Sequence, residues 1–112
     1  MNKRYSVKIT ESALSDMDAI YDYISGPLGA PIAAAKQYDK IADEILTLSE
    51  MPFRYPVPSF PVCEELELHR MLVGNYSIFY KIYSTSVIVI AVLYSASDFE
   101  KRLSQRSSIK QP

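Results

Sequence analysis

The sequence has few of the residues on which several classes of functional site depend. Cys63 is the only cysteine, which excludes an internal disulfide and a zinc site built from several cysteines. There is one histidine, and the three glycines do not have the spacing of a phosphate-binding loop. No His, Asp and Glu spacing suggests a metal site, and no serine lies in a nucleophile-elbow motif. We therefore expect neither a metal nor a cofactor.

Long apolar runs and an excess of one charge are also missing. The longest apolar run, Val87 to Tyr94, is far shorter than the roughly 18 residues of a membrane span. No apolar segment follows the basic residues at the N-terminus, so we expect no signal peptide, no membrane partner and a cytoplasmic location. Twelve Lys and Arg against thirteen Asp and Glu give a net charge of −1, whereas proteins that bind nucleic acid through phosphates usually carry a basic excess.

The composition is that of a single globular domain. The chain has 112 residues, of which 48% are apolar and 22% charged, which is enough for one core and too little for two. We expect this core to span about residues 5–103. Residues 104–112 are predicted to form a flexible basic tail, because residues 101–112 contain four basic residues and no acidic one.

The first half of the chain predicts a strand followed by two helices. Residues 5–9 alternate as in a short strand, and Thr10 can cap the helix that follows. Prolines and glycines at 26–31 end this helix, and Pro31 suits the first position of a second helix. The apolar residues of the first helix recur at helical spacing: Ala13, Met17, Ile20, Tyr21, Ile24 and Leu28. Three aspartates are expected mostly on its solvent side: Asp16, Asp18 and Asp22.

The second half predicts a small sheet. Residues 51–62 contain four prolines and are expected to form an extended, irregular crossing. Three strands are predicted to follow: residues 66–73, 76–83 and 87–94. Gly74 and Asn75 suit a tight hairpin turn, and the last strand is apolar on both faces, which predicts a central position. With a short helix from Asp98, the expected fold is α+β, β-α-α-β-β-β(-α), a helical hairpin packed on a mainly antiparallel sheet.

Several stretches, taken in this order, resemble the RelE/ParE superfamily, the toxins of type II toxin–antitoxin (plasmid-stabilisation) modules. The matching stretches are "YSVKIT", "DMDAIYDYIS", "LSEMPFRYP", "HRMLVGNYSIFYKI" and "VIVIAVLYSASDF". Together they cover about residues 5–103. The resemblance implies the fold described above, growth inhibition and a labile antitoxin that wraps the toxin. It also implies one of two targets, because RelE-like members cut mRNA on the ribosome and ParE-like members poison DNA gyrase.

The resemblance also implies a candidate catalytic position at the end of the last strand. Tyr94 matches a position where family members often carry His or Tyr. The next positions, often two arginines before an aspartate in the family, are Ser95, Ala96 and Ser97 here. A metal-independent ribonuclease needs cationic donors at the phosphate, and losing one such donor can cost about 10²–10³ in rate. This departure argues against nuclease activity.

Four residues are candidates for catalysis: Arg70, Tyr94, His69 and Arg54. Arg70 matches a family arginine and can contact a phosphate or the target, or it can pair with Glu65 or Glu67. Tyr94 can act as a general acid, or cap a buried strand with its hydroxyl in water. A lone histidine such as His69 is more often a satisfied side chain than an acid–base group.

Three functions stay open at this point. The favoured one is a ParE-like toxin that binds gyrase and catalyses nothing, because the charge is near neutral and the strand-end cations are missing. The second is a ribosome-dependent mRNA endonuclease, so enzymatic activity is undecided. The third is an inactive relative that binds only its antitoxin. Four basic residues are predicted to attract an acidic antitoxin: Lys101, Arg102, Arg106 and Lys110. A homodimer and a toxin–antitoxin hetero-oligomer are both compatible with the sequence.

Overall fold

A computed structural model describes residues 4–106, which form four helices and four strands. The strands are β1 (Ser6–Ile9), β2 (His69–Val73), β3 (Tyr76–Ile82) and β4 (Ser86–Tyr94). The α-helices are α1 (Glu11–Ser25), α2 (Pro31–Leu46), α3 (Pro61–Leu66) and α4 (Phe99–Ser104), with 3₁₀ turns at Thr47–Ser49 and Pro52–Arg54. The α+β class and the helical hairpin on a small sheet are confirmed. The short helix α3 is an addition to the predicted order.

The sheet has the strand order β1-β4-β3-β2, so the apolar strand β4 is central, as its sequence predicts. β1 runs parallel to β4, and the other two pairs are antiparallel. Gly74, at a φ of +59°, makes the tight turn between β2 and β3. Phe79 pairs with Ala91 and Tyr80 with Val89, so Ile90 is the extra residue of a β-bulge in β4.

The helical hairpin covers one face of the sheet. Thr10 caps α1 by accepting a hydrogen bond from the Ala13 amide at 3.1 Å, and Pro31 begins α2. The buried side chains of α1, α2, the 3₁₀ turn after α2 and this face form the main core: Ala13, Met17, Ile41, Ile45, Leu48, Met71, Val73, Ile78, Tyr80, Val87, Val89 and Val92. A helix with one apolar stripe is stable only against such a partner surface.

The opposite face of the sheet carries a second, smaller core under α3 and α4. Its buried residues are Cys63, Leu68, Phe79, Ile90, Ala91, Leu93, Phe99 and Leu103. The prediction of an irregular crossing over residues 51–62 is wrong at both ends, where a 3₁₀ turn begins at Pro52 and α3 at Pro61. Proline lacks a backbone N–H, but the first turn of a helix leaves that group unpaired in any case. Pro52 and Pro61 therefore begin these helices, whereas a proline in a helix interior would break the helix.

The predicted strand over residues 66–73 begins later in the structure, at His69. Leu66 is the last residue of α3, and Glu67 follows it in the left-handed region with a φ of 55°. That conformation ends the helix and turns the chain into the sheet. No helix within residues 4–106 is both long enough and apolar enough to span a membrane.

Alkaline pH is expected to destabilise the fold, because the buried Cys63 thiol of the smaller core loses its proton more readily in the unfolded chain. Burial raises the pKa of the Cys63 thiol to about 11. Between roughly pH 9 and 11 the unfolded chain loses this proton while the folded protein keeps it, so stability falls as pH rises. The expected loss of unfolding free energy is about 2 kcal/mol at the upper end, at about 1.4 kcal/mol per pH unit.

Urea unfolding at a series of pH values measures this loss. Cys63→Ala should lower stability at neutral pH and remove most of the further decline between roughly pH 9 and 10. Burial also raises the pKa of the Tyr80 hydroxyl well above its ordinary value. Tyr80 therefore adds to the decline only above about pH 10. An unfolding free energy that stays constant from about pH 8 to 11 would contradict the prediction.

Candidate partner-binding groove and the predicted catalytic residues

A groove of about 570 Å³ lies where α1, the C-terminal half of β4 and α4 meet. We call it the edge groove. Its apolar and aromatic lining includes Ile20, Tyr23, Leu28, Tyr76, Val92 and Tyr94. Asp16 and Arg102 are its charged lining residues. A groove with apolar walls and few charges suits a peptide or a small apolar ligand better than a polynucleotide.

Three phenol rings give the edge groove its hydrogen-bonding capacity. Tyr76 and Tyr94 are paired across β3 and β4, with ring centroids 5.9 Å apart. Burial, and then the proximity of Tyr94 and Tyr23, raise the pKa of the Tyr76 hydroxyl above its usual range. Tyr76 therefore stays protonated at neutral pH and can donate a hydrogen bond to a ligand in the groove.

A largely buried ion pair, which we call the clasp, includes Asp16, one of the residues that line the groove. The Arg106 Nη2 donates to Asp16 Oδ1 at 2.7 Å, with side-chain exposures of only 14% and 9%. Asp16 Oδ2 accepts the Val92 amide at 2.9 Å, and Arg106 Nη1 donates to the Ile90 carbonyl at 2.9 Å. The clasp therefore joins α1, the bulged edge of β4 and the segment after α4.

The clasp corrects two predictions. Asp16 does not lie on the solvent side of α1, because its carboxylate accepts a hydrogen bond from the Val92 amide, which has no strand partner beyond the end of β1. The basic tail does not begin at residue 104, because Ser104 ends α4 and Arg106 is docked on Asp16. The sequence gives no local sign of either contact, since Asp16 and Arg106 are 90 residues apart.

Tyr94 lies at the end of β4 with its side chain 49% exposed. Of the four catalytic candidates, it is the one that lines the edge groove, and Arg102 is the arginine that lines the groove with it. Tyr76 packs edge-on against its ring. This position fits both a strand-capping tyrosine and a ligand contact.

Arg70 lies on the other face of the sheet, in β2 beside Phe79. Its Nε donates to the Ser77 hydroxyl at 2.9 Å, and its guanidinium stands 5.0 Å from the centroid of the Phe99 ring. Within residues 4–106 it forms no ion pair with Glu65 or Glu67, the partners considered from the sequence. Arg70 thus fastens α4 to the sheet and points away from Tyr94.

His69 and Arg54 are engaged with backbone carbonyls. His69 Nδ1 donates to the Tyr55 carbonyl at 2.6 Å, and its ring stacks on Tyr80 at 5.4 Å. The Arg54 guanidinium donates to the Glu50 carbonyl at 2.6 Å and to the Thr47 hydroxyl at 2.8 Å. Both side chains stabilise the turn-rich segment between α2 and β2. The structure does not bring the four catalytic candidates together.

The four residues predicted to bind a partner have different surroundings. Lys101 and Arg102 are exposed in the last turn of α4. Arg106 is committed to the clasp. Lys110 lies outside the described residues. No cluster of three or more His, Cys, Asp or Glu side chains within residues 4–106 is suited to a metal ion.

Comparisons with known proteins agree on one family. The family model for the ParE toxin of the type II toxin–antitoxin system parDE matches residues 7–99. A structure of the chromosomal ParDE TA system from P. aeruginosa is 19% identical, with a TM-score of 0.69 over 81% of this chain and 96% of the other. A free-state structure of a double arginine-to-alanine mutant of the E. coli toxin RelE is 12% identical, with a TM-score of 0.62 over 97% and 99%.

No curated protein sequence gives a significant match. The family model covers most of the chain, and the two solved structures have the same fold, a helical hairpin on a four-stranded sheet. The chain therefore belongs to the ParE toxin family of type II toxin–antitoxin systems, within the RelE/ParE superfamily.

Proposed function

We propose that this toxin inhibits growth in the cytoplasm by binding DNA gyrase, that it catalyses no reaction, and that a cognate antitoxin neutralises it. The single observation that carries the proposal is the dispersal of the cationic candidates. Arg54 and His69 are bound to backbone carbonyls, and Arg70 lies on the opposite face of the sheet from Tyr94. Among residues 4–106, the cation that lines the groove at Tyr94 is Arg102 alone, so the described residues do not form the converging set of cations of a ribonuclease.

The chemistry of RNA cleavage explains why this dispersal matters. Cleavage without a metal requires a base for the 2′-hydroxyl, donors for the pentacovalent phosphate and an acid for the leaving oxygen. One observation favours the second candidate function, a ribosome-dependent mRNA endonuclease: Arg102 and Tyr94 line the same groove. A single arginine beside a tyrosine supplies at most two of the three groups, so binding without catalysis is the better-supported proposal.

Two assays run in parallel test the choice of target. The purified toxin is added to a gyrase supercoiling assay and to ribosomes translating a defined mRNA. The proposal expects loss of supercoiling and intact mRNA, because binding is directed at gyrase and no catalytic set is assembled. Ribosome-dependent mRNA cleavage with unaffected supercoiling would reverse the assignment. An effect in neither assay would indicate an inactive relative.

Substitution of the best nuclease candidates is expected to leave toxicity intact. Tyr94→Phe removes the hydroxyl that would act as general acid but keeps the ring packed on Tyr76. An acid–base group that supports catalysis contributes about 10²–10⁴-fold, so the nuclease alternative predicts a loss of that size. We expect less than about a twofold change in the level of toxin that halves the growth rate of cells expressing it, with Tyr76→Phe as the matched control.

The antitoxin is expected to be acidic where it meets α4. Lys101 and Arg102 are the exposed cations there, and charge complementarity mainly accelerates association. Lys101→Ser with Arg102→Ser should slow association about tenfold at low salt and flatten its salt dependence. Lys36→Ser with Lys40→Ser on exposed positions of α2 is the control for net charge. Stopped-flow fluorescence measures both rates, and equal rates at low salt would refute the expectation.

A further inference from the structure

Met51 lies in a strained turn at the surface of the protein. Its φ of 49° is in the left-handed region, which a long side chain adopts only at a cost in free energy. Its side chain is nonetheless 71% exposed, and two residues further on Phe53 is 64% exposed. Burial of Met51 therefore does not account for the strain. We call these two exposed apolar residues, Met51 and Phe53, the turn patch.

Hydrogen bonds from two side chains fix the backbone of the turn patch. The Arg54 guanidinium donates to the carbonyl of Glu50 at 2.6 Å and to that of Met51 at 3.2 Å. The buried Tyr80 hydroxyl donates to the Pro52 carbonyl at 2.7 Å. A side chain that is already held in place loses less conformational entropy on binding, so the turn patch has the properties of a binding hot spot.

The turn patch and the edge groove lie at different ends of the sheet. The Phe53 ring packs edge-on against His69, with 5.9 Å between the centroids, and His69 stacks on Tyr80. The groove lies at Tyr76, four residues before Tyr80 in β3, which is about 13 Å of strand. A ligand can therefore contact the turn patch without entering the groove.

A pocket of about 330 Å³ lies beside Met51, and its other lining residues are Thr47, Ser49, Glu50 and Arg54. Arg54 donates to backbone carbonyls, so the Glu50 carboxylate gives the pocket a negative character. Arg4 Nη2 pairs with Glu50 Oε1 at 2.7 Å, but the two side chains are 72% and 52% exposed. An exposed pair of this kind contributes little and exchanges readily for another. The pocket therefore suits a lysine or arginine side chain of a partner.

The size and charge of the turn patch indicate the kind of partner. Two side chains with these exposures present roughly 300 Å², against about 800 Å² per partner in a stable interface, so the patch alone does not support a dimer of this chain. Nucleic acid is disfavoured, because the neighbouring Arg4 and Arg54 are engaged with a carboxylate and with carbonyls. A different protein with an apolar pocket beside a basic residue fits better.

We propose that the toxin binds DNA gyrase through the turn patch, with Met51 and Phe53 entering an apolar pocket of that enzyme and Glu50 pairing with a basic residue at its rim. The inference deepens the proposed function and rests on its target. A few fixed apolar side chains can supply most of the binding energy of an interface when neighbouring contacts exclude water from them. The strained turn then serves to hold both side chains toward the target.

Met51→Gly in the full-length toxin separates a loss of binding from a loss of folding. Glycine adopts the left-handed conformation without strain, so this variant should be at least as stable as wild type in urea unfolding. It removes one of the two apolar side chains, so the toxin concentration that halves gyrase supercoiling should rise at least about fivefold. Glu67→Gly is the matched control, because Glu67 is the other exposed non-glycine residue with a positive φ within residues 4–106. It should inhibit like wild type.

Two further variants test the rest of the contact. Phe53→Ala should raise the same concentration at least about tenfold, with Ile32→Ala, at a 74% exposed position of α2, as its control. Glu50→Gln should weaken binding to immobilised gyrase and flatten its salt dependence, with Asp43→Asn on an exposed position of α2 as its control. A dimer of the wild-type toxin that Phe53→Ala abolishes in sedimentation would assign the patch to a second copy and overturn the inference.

The outcome for the turn patch is distinguishable from the outcome for the proposed function. If wild-type toxin inhibits supercoiling and both Met51→Gly and Phe53→Ala inhibit equally well, the turn patch fails and the proposed function stands. If wild-type toxin neither binds gyrase nor inhibits supercoiling, the gyrase target fails and the inference fails with it. Weaker inhibition by both variants, with unchanged inhibition by both controls, supports the inference.

Discussion

Replacing Asp16 with alanine is expected to lower the free energy of unfolding by about 3 kcal/mol. The change leaves the Arg106 guanidinium, 14% exposed, without its carboxylate, and it leaves the Val92 amide without its acceptor. Removing one partner of a buried pair is costly because the remaining charge has no compensating interaction, and a lost acceptor adds the desolvation of a backbone amide. Urea unfolding followed by circular dichroism measures the change.

Two companion variants identify the cause of this loss. Asp18→Ala, at an exposed position two residues further along α1, gains the same helix propensity and should change stability by less than about 1 kcal/mol. Asp16→Asn keeps an oxygen for the Val92 amide but loses the charge, so an intermediate loss of about 1–2 kcal/mol is expected. Equal stability of the two alanine variants would mean that the clasp makes no net contribution.

The elements that were predicted correctly are those that local sequence determines. The apolar stripe of α1 follows the helical period of 3.6 residues at Ala13, Met17 and Ile20, whereas Tyr21 and Leu28, predicted on the same stripe, are exposed, and Leu28 lies beyond the helix end at Ser25. The cap at Thr10 and the first residue of α2, Pro31, act within one helical turn. The tight turn at Gly74 needs a positive φ, which glycine adopts without strain. The central position of β4 also follows from its own composition, because a strand buried on both faces has no polar side.

The candidate site depends on contacts between distant residues, which periodicity does not encode. Asp16 faces inward because the bulge at Ile90 and the end of β1 leave the Val92 amide to be satisfied. From sequence alone this carboxylate is indistinguishable from the solvent-facing Asp18. The engagement of Arg54 with carbonyls likewise depends on turns in the proline-rich segment, which composition identified as irregular without giving its path.

Replacing Phe99 with alanine is the second change from which we expect a large effect, a loss of about 3 kcal/mol. Phe99 begins α4 and is 8% exposed. Its ring lies 5.0 Å from that of Phe60 and 5.2 Å from that of Phe79, with the Arg70 guanidinium 5.0 Å away. A helix of six residues has no stability of its own, so these contacts hold α4 on the sheet.

The loss should be local, because the main core lies on the other face of the sheet. Native-state hydrogen exchange is expected to show lost protection in α4 and retained protection in β3 and β4. Glu100→Ala, the exposed neighbour, is the control and should leave both unchanged. Retained protection of α4 in Phe99→Ala would show that other contacts hold it.

The same variant connects α4 to the clasp. Arg106 follows α4 by two residues, so release of the helix also withdraws the guanidinium from Asp16. The losses caused by Phe99→Ala and Asp16→Ala should therefore not add, and the double variant should be more stable than the sum predicts by at least about 1 kcal/mol. Additive losses would mean that the segment after α4 stays docked on Asp16 without the helix, and that α4 and the clasp open independently.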